Sequence, residues 1–176
     1  MIEIARDGWE LHAEGAWLVI PTNCFVKLNG ANVMGAGVAK QARRRFADLE
    51  AVYGNTLLAK IRPGRPVGEP VQHNDLASAE RLVVAYSAKR LVCAPVKLNW
   101  WLAADLTLIE RCLRELVDLA TAYPQMRLAV PRLGCGNGGR DWESEVRPLA
   151  EQALVAADPD VAERLIWLSP PAVEPR

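Results

Sequence analysis

Pro131 Arg132 Leu133 Gly134 Cys135 Gly136 Asn137 Gly138 Gly139 Arg140 Asp141 Trp142 packs four glycines between a β-rich run, residues 127–131, and a stretch of helical pattern, residues 142–157. A turn that merely reverses the chain seldom needs four. A loop that brings several backbone N–H groups against one ligand does, because each missing Cβ lets the main chain come closer. Upstream, Met34 Gly35 Ala36 Gly37 Val38 Ala39 leads straight into a second helical pattern. There Val38, Ala42, Phe46 and Leu49 recur at helical spacing, with Lys40, Arg43 and Arg44 on the other side and Gly54 at the expected stop. Glycines at the positive end of a helix fit an anion cradle, and they fit equally a helix entry that needs unusual dihedrals.

Around these loops, strands alternate with helices. Residues 2–5 and 9–12 flank Arg6 Asp7 Gly8 and read as an opening hairpin. Residues 17–20 read as a buried strand stopped by Pro21. Residues 22–34 hold two Asn-containing turns without a sustained period, and loops of that length tend to carry function. One edge strand is expected within the Pro- and Gly-rich residues 62–75, and further strands over 81–86 and 91–96. Leu102, Leu106, Ile109, Leu113, Leu116 and Ala120 step by three and four, which predicts a long helix ending before Pro124. A last strand is expected over 164–168. This order implies a three-layer α/β domain over residues 1–170, followed by a tail at 171–176, with its ligand beyond the carboxyl ends of the strands.

Composition narrows the function. A chain of 176 residues, 51% hydrophobic and 24% charged, fits one folded domain and not a disordered one. Lys plus Arg number 21 and so do Asp plus Glu, so the charge balance gives no ground for a broad electrostatic hold on nucleic acid and any such contact must be local. Two loops clamping a diphosphate through backbone donors reconcile phosphate binding with a neutral protein. No apolar run approaches the roughly 20 residues of a membrane span. Acid near the N-terminus, at Glu3 and Asp7, is unlike a signal peptide, so a cytoplasmic protein without a membrane partner is expected. Cys24, Cys93, Cys112 and Cys135 form no Cys-x-x-Cys pair and read as small buried hydrophobes; no metal site and no cofactor are expected. A Walker loop is ruled out because Ala36 Gly37, not Lys and Ser or Thr, follows Gly35. The dinucleotide fingerprint fails because Lys40 occupies its sixth position.

Together Asn23, the loop from Met34 to Ala39, Pro95 Val96 Lys97 Leu98 Asn99 Trp100, and the stretch from Pro131 to Trp142 resemble the macrodomain family of ADP-ribose-binding proteins. The likeness is strongest to the branch of DNA ADP-ribosyl glycohydrolase antitoxins and terminal ADP-ribose protein glycohydrolases. It implies a three-layer α/β/α macrodomain with a mixed, roughly six-stranded sheet. It implies that Met34, Gly35, Ala36, Gly37, Val38 and Ala39, with Leu133, Gly134, Cys135, Gly136, Asn137, Gly138, Gly139 and Trp142, enclose ADP-ribose. Asn23 and Asn32 are then candidate ribose contacts, with Asn29 either beside them or shaping a turn. Glu10 falls near the family's adenine-binding acid, or is a strand-surface carboxylate.

The resemblance makes Lys97 the catalytic residue, attacking the anomeric carbon as an amine or, protonated, stabilising the departing group. The alternative is a lysine that caps a loop or pairs with Asp105. Two departures bear on substrate: Gly138 stands where protein-directed members carry Asp, and Asn99 where DNA-directed members have His. Trp100 and Trp101 suit either base stacking or core packing. The implied function is removal of ADP-ribose from a modified target, foremost a nucleic-acid base. The alternatives are a non-catalytic reader, an ADP-ribose phosphate phosphatase or a protein ADP-ribosyl glycohydrolase. The implied partners are ADP-ribose or an ADP-ribosylated macromolecule, ADP-ribosylated DNA among them, and a cognate ADP-ribosyltransferase toxin.

Overall fold

The computed structural model describes residues 1–169. Strands β1 (Ile2–Ile4), β2 (Trp17–Asn23), β3 (Val84–Tyr86), β4 (Leu91–Lys97), β5 (Leu128–Pro131) and β6 (Leu165–Leu168) form one sheet in the order β1-β6-β5-β2-β4-β3. Neighbours run parallel except β3, which is antiparallel to β4, so the sheet is mixed and six-stranded, as expected. The tail expected at 171–176 lies outside the described residues.

Side chains alternate strictly across the sheet and make two cores. Leu18 and Ile20, Leu91 and Cys93, and Ile166 and Leu168 point to one face. They meet Leu11 of α1 (Gly8–Ala13), Ala39 and Ala42 of α2 (Gly37–Arg45), and Leu49, Tyr53 and Leu57 of α3 (Leu49–Lys60). Val19, Val92, Ala94, Leu128, Val130, Leu165 and Trp167 point to the other. There they pack on Ile109, Leu113 and Leu116 of α4 (Leu106–Ala122), Ala150 of α5 (Arg147–Leu154) and Val161 of α6 (Pro159–Arg164). The result is the α/β/α arrangement.

Several local expectations are corrected. The opening hairpin is instead β1 followed by α1, because the Asp7 carboxylate accepts from the Trp9 N–H at 2.6 Å and caps a helix where Gly8 suggested a turn. The strand does not stop at Pro21 but continues to Asn23. The single helix expected from Gly37 is two, broken at Phe46, and Gly54 lies inside α3 rather than at a stop. A Cβ at Gly54 would collide with the Gly30 carbonyl and the Asn32 N–H, so this glycine lets the long loop pack against the helix. The edge strand expected within 62–75 does not form; a 3-10 turn, His73–Leu76, closed by a Gln72/Asp75 capping box, takes its place. The long helix starts at Leu106, four residues late, because Asp105 caps it through the Leu108 N–H at 2.9 Å. The third helical stretch opens with a π-helical turn, Trp142–Val146, and ends at Leu154, and α6 was not foreseen.

Candidate functional site: a cleft between two glycine loops

The cleft opens where the sheet splits. β2 pairs with β4 as far as Asn23 opposite Lys97, but with β5 only at Trp17 and Leu18. The Trp17 N–H donates to the Arg127 carbonyl beside β5 and the Leu18 N–H to the Arg90 carbonyl beside β4. By that alternation position 21 faces β5, and proline there has no N–H to offer a ladder. Beyond the split, the chain leaves β2 for α2 on one face and β5 for α5 on the other. This is the crevice in which open α/β sheets bind ligands. Its volume is about 820 Å³, within the range of small-molecule sites.

Side chains hold the first loop from behind. The Asn23 Nδ2 donates to the Val33 carbonyl at 2.7 Å, and its Oδ1 accepts from the Phe25 N–H at 3.0 Å. The Asn32 Nδ2 donates to the carbonyls of Asn23 at 2.8 Å and Phe25 at 2.9 Å. Glu50, in the first turn of α3, accepts from the Met34 N–H at 3.0 Å and is itself held by Lys27 and Arg43. Asn32 and Met34 are therefore buried supports behind the wall. Asn23, Gly35, Ala36, Gly37, Val38 and Ala39 line it. Asn29 shapes a turn, its Oδ1 accepting from the Ala31 N–H at 3.2 Å. α2 begins at the wall with Ala36 as N-cap and no acid in its first turn, whereas Asp7 and Asp105 cap α1 and α4. Among the described residues its first N–H groups thus have no side-chain acceptor, the condition for an anion site at a helix start.

The second loop is held by backbone and sterics. The Ala104 N–H donates to the Gly138 carbonyl at 2.9 Å, and the Arg140 N–H to the Gly134 carbonyl at 3.1 Å. A Cβ at Gly138 would strike the Gly134 carbonyl and Ala104, so the loop has no room for any side chain there. Gly134, Cys135, Gly136, Asn137, Gly138 and Trp142 line the cleft, while Leu133 is buried behind it and Gly139 stands off the wall. A Cβ at Gly35 or Gly136 would meet nothing within 4 Å. Asp141 caps the following turn through the Ser144 N–H at 2.8 Å. Burial pushes the Cys135 thiol up to about 11, which keeps it protonated near neutrality.

Lys97, the last residue of β4, reaches between the loops: its Nζ donates to the Asn137 carbonyl at 2.7 Å. Burial lowers its pKa below the ordinary lysine value. Asp105 does not pair with it, being turned to the α4 cap and to His73 Nε2 at 2.9 Å. The cleft's arginines are engaged elsewhere, Arg6 with Glu14, Arg132 with Glu3 and Arg140 with Glu145. Lys97 is the cleft cation for which no carboxylate partner occurs among the described residues. Asn99 is buried and clamps both backbone groups of Val71 at 2.8 and 2.9 Å, so it does not act in the cleft.

Glu10 is not brought to the site. It stands on an exposed part of α1 beside Arg6, and Arg6 is the one that lines the cleft. Glu50, Pro21 and Arg6 were missed from sequence. Only Pro21, with the Ala at the mouth of α2, left a signal that could have been read.

A mixed six-stranded sheet between two helical layers, with glycine loops facing each other across a split in its centre, is the macrodomain fold, and this chain is a macrodomain by fold. No family model matches the chain. Among curated proteins it is similar to the DNA ADP-ribosyl glycohydrolase of Mycobacterium tuberculosis, 28% identical over 151 residues, covering 84% of this chain and 36% of that protein. It is also similar to a DNA ADP-ribosyl transferase-DNA ADP-ribosyl glycohydrolase fusion protein of Thermosipho africanus, 29% identical over 132 residues, covering 70% and 33%. The chain thus spans about a third of the length of these relatives. Solved structures from the same organisms share the fold. The macrodomain of Mycobacterium tuberculosis DarG superposes with a TM-score of 0.60 at 24% identity, covering 96% of this chain and 98% of that one. Thermosipho africanus DarTG in complex with ADP-ribose superposes at 0.59 and 22%, covering 98% and 42%. Among the described residues no helix is long and apolar enough to cross a membrane.

Proposed function

We propose that this macrodomain binds ADP-ribose between its two glycine loops and hydrolyses the bond joining the distal ribose to a DNA base. The observation that carries the reading is the Lys97 amino group poised between both loops, with no carboxylate partner among the described residues. The α2 N-terminus and the glycine-loop amides would hold the diphosphate, and Asn23 would border the distal ribose. The names of the relatives support DNA as the target, and the packing at Gly138 leaves no place for the Asp of protein-directed members. The fusion relative supports a cognate ADP-ribosyltransferase toxin as partner, and four free thiols suit a reducing, cytoplasmic setting.

The lowered pKa supports the nucleophilic route. The neutral Lys97 amine attacks the anomeric carbon, a C–N bond forms, and the glycosidic bond breaks with its electron pair leaving on the base, which takes up a proton. The ribose ring of the adduct opens to an imine between Lys97 and the anomeric carbon, and water hydrolyses that imine, freeing the amine and ADP-ribose. The sign follows: acidification protonates the amine, so the rate rises with pH toward the depressed pKa.

Lys97→Ala is expected to cut release of ADP-ribose from modified single-stranded DNA about 1,000-fold while still binding ADP-ribose in calorimetry. Unchanged release would remove Lys97 from the chemistry. Borohydride reduction during turnover should leave a mass adduct on Lys97; no adduct, with a rate that falls as pH rises, would point to the protonated role.

A further inference from the structure

The turn that follows Lys97 directs two tryptophans outward. Trp100 is 51% exposed and Trp101 47%, although such rings gain much from burial. Both are braced. The Trp100 and Trp101 rings stand at 88° with centroids 5.4 Å apart, and Trp101 meets Phe25 edge-on at 5.2 Å. The turn beneath them is pinned by the Asn99 clamp on Val71, by the Leu102 N–H donating to the Asn99 carbonyl at 3.1 Å, and by Ala104 on the second glycine loop. Trp100 lines the cleft and Trp101 stands outside it, so aromatic surface runs from beside Lys97 onto the exterior. No carboxylate of the patch itself repels a polyanion there: residues 24–34 and 97–104, which build it, contain no Asp or Glu, and Lys27 among them is ion-paired with Glu50 of α3.

We propose that this aromatic step is a platform on which an unpaired base of single-stranded nucleic acid stacks, next to the nucleotide whose ADP-ribose occupies the cleft. The proposal rests on the reading of the cleft as an ADP-ribose site and adds the residues that hold the base beside the modified nucleotide. Every base has a π face, so such a platform grips a strand without regard to sequence, and rings already braced lose little freedom on binding. A double helix, whose bases are stacked on each other, offers no free face.

The test uses the Lys97→Ala background to prevent turnover and compares affinity for an ADP-ribosylated single-stranded oligonucleotide with affinity for ADP-ribose alone. Trp101→Ala should lower that ratio about 5- to 150-fold, the range for losing one stacked base. Trp101→Phe should restore most of it, and Trp101→Gln, a second variant without a ring, should behave like Trp101→Ala. A ratio unmoved by either ringless variant overturns the platform, and so does an oligonucleotide that binds the parent no tighter than ADP-ribose. An equal loss toward an ADP-ribosylated protein also overturns it. The two readings separate cleanly. Turnover of modified DNA by the wild type with an unmoved ratio defeats the platform alone, whereas a ring-dependent ratio with no ADP-ribose released defeats the hydrolase and leaves the platform standing.

Discussion

The two glycine loops face the same cleft but are built on opposite principles. Asn23, Asn32 and the distant Glu50 tether the first through side-chain hydrogen bonds, so its shape depends in part on Asn32 and Glu50, which do not reach the cleft wall. The second is fixed by what is missing, since Gly138 and Gly134 nest against each other and against Ala104 with no space left over. Similar glycine content therefore conceals different vulnerabilities. One loop fails when a polar support is removed, the other when an atom is added.

The largest expected effect is at the tip of the second loop. Gly136→Glu would project a carboxylate into the open cleft, and ADP-ribose affinity should fall about 100-fold or more, equivalent to about 2.7 kcal/mol, in calorimetry. Because a Cβ there would meet nothing within 4 Å, stability to urea should move by less than about 0.5 kcal/mol. A variant that bound normally would show that the cleft is not the binding site. Gly138→Ala should cost about 2 kcal/mol of stability by overpacking, with affinity reduced through the displaced loop. If it denatured like the parent, the steric account of the second loop would be wrong.

For the first loop, Glu50→Gln should destabilise by about 1 to 2 kcal/mol, since a charged acceptor shared by Met34, Lys27 and Arg43 becomes neutral. Affinity should fall only several-fold, and a loss as large as that of Gly136→Glu would mean that Glu50 meets the ligand. The smallest effect is expected at Asn29→Ala, where one turn hydrogen bond is lost for about 0.5 kcal/mol. Binding titrations that showed a marked loss of affinity there would return Asn29 to the ribose.

The asymmetry between the loops also explains what could be read from the chain. The second loop and the helix from Leu106 onward were legible because their cues are local: four glycines after a strand, and apolar residues stepping by three and four. α1 was misread because Gly8 signals a turn more loudly than Asp7 signals a cap. Gly54 was misread because its reason for being glycine is the backbone of Gly30 and Asn32, more than twenty residues upstream in the chain. The Glu50 tether crosses sixteen residues to Met34 and follows no spacing rule, so only folding reveals it. Lys97 was found by resemblance; composition and periodicity would have left it one lysine among several. Glu10 shows the reverse risk, a residue matched by position in the chain that the turn of α1 carries away from the cleft.

Pro21 carries a thermodynamic consequence. Were β2 and β5 able to zip together past Leu18, the resting molecule would populate a shut sheet, and each ligand would have to spend part of its affinity prising it apart. An imino acid at the fork denies that shut form a rung, so less of a ligand's affinity is spent on opening the sheet.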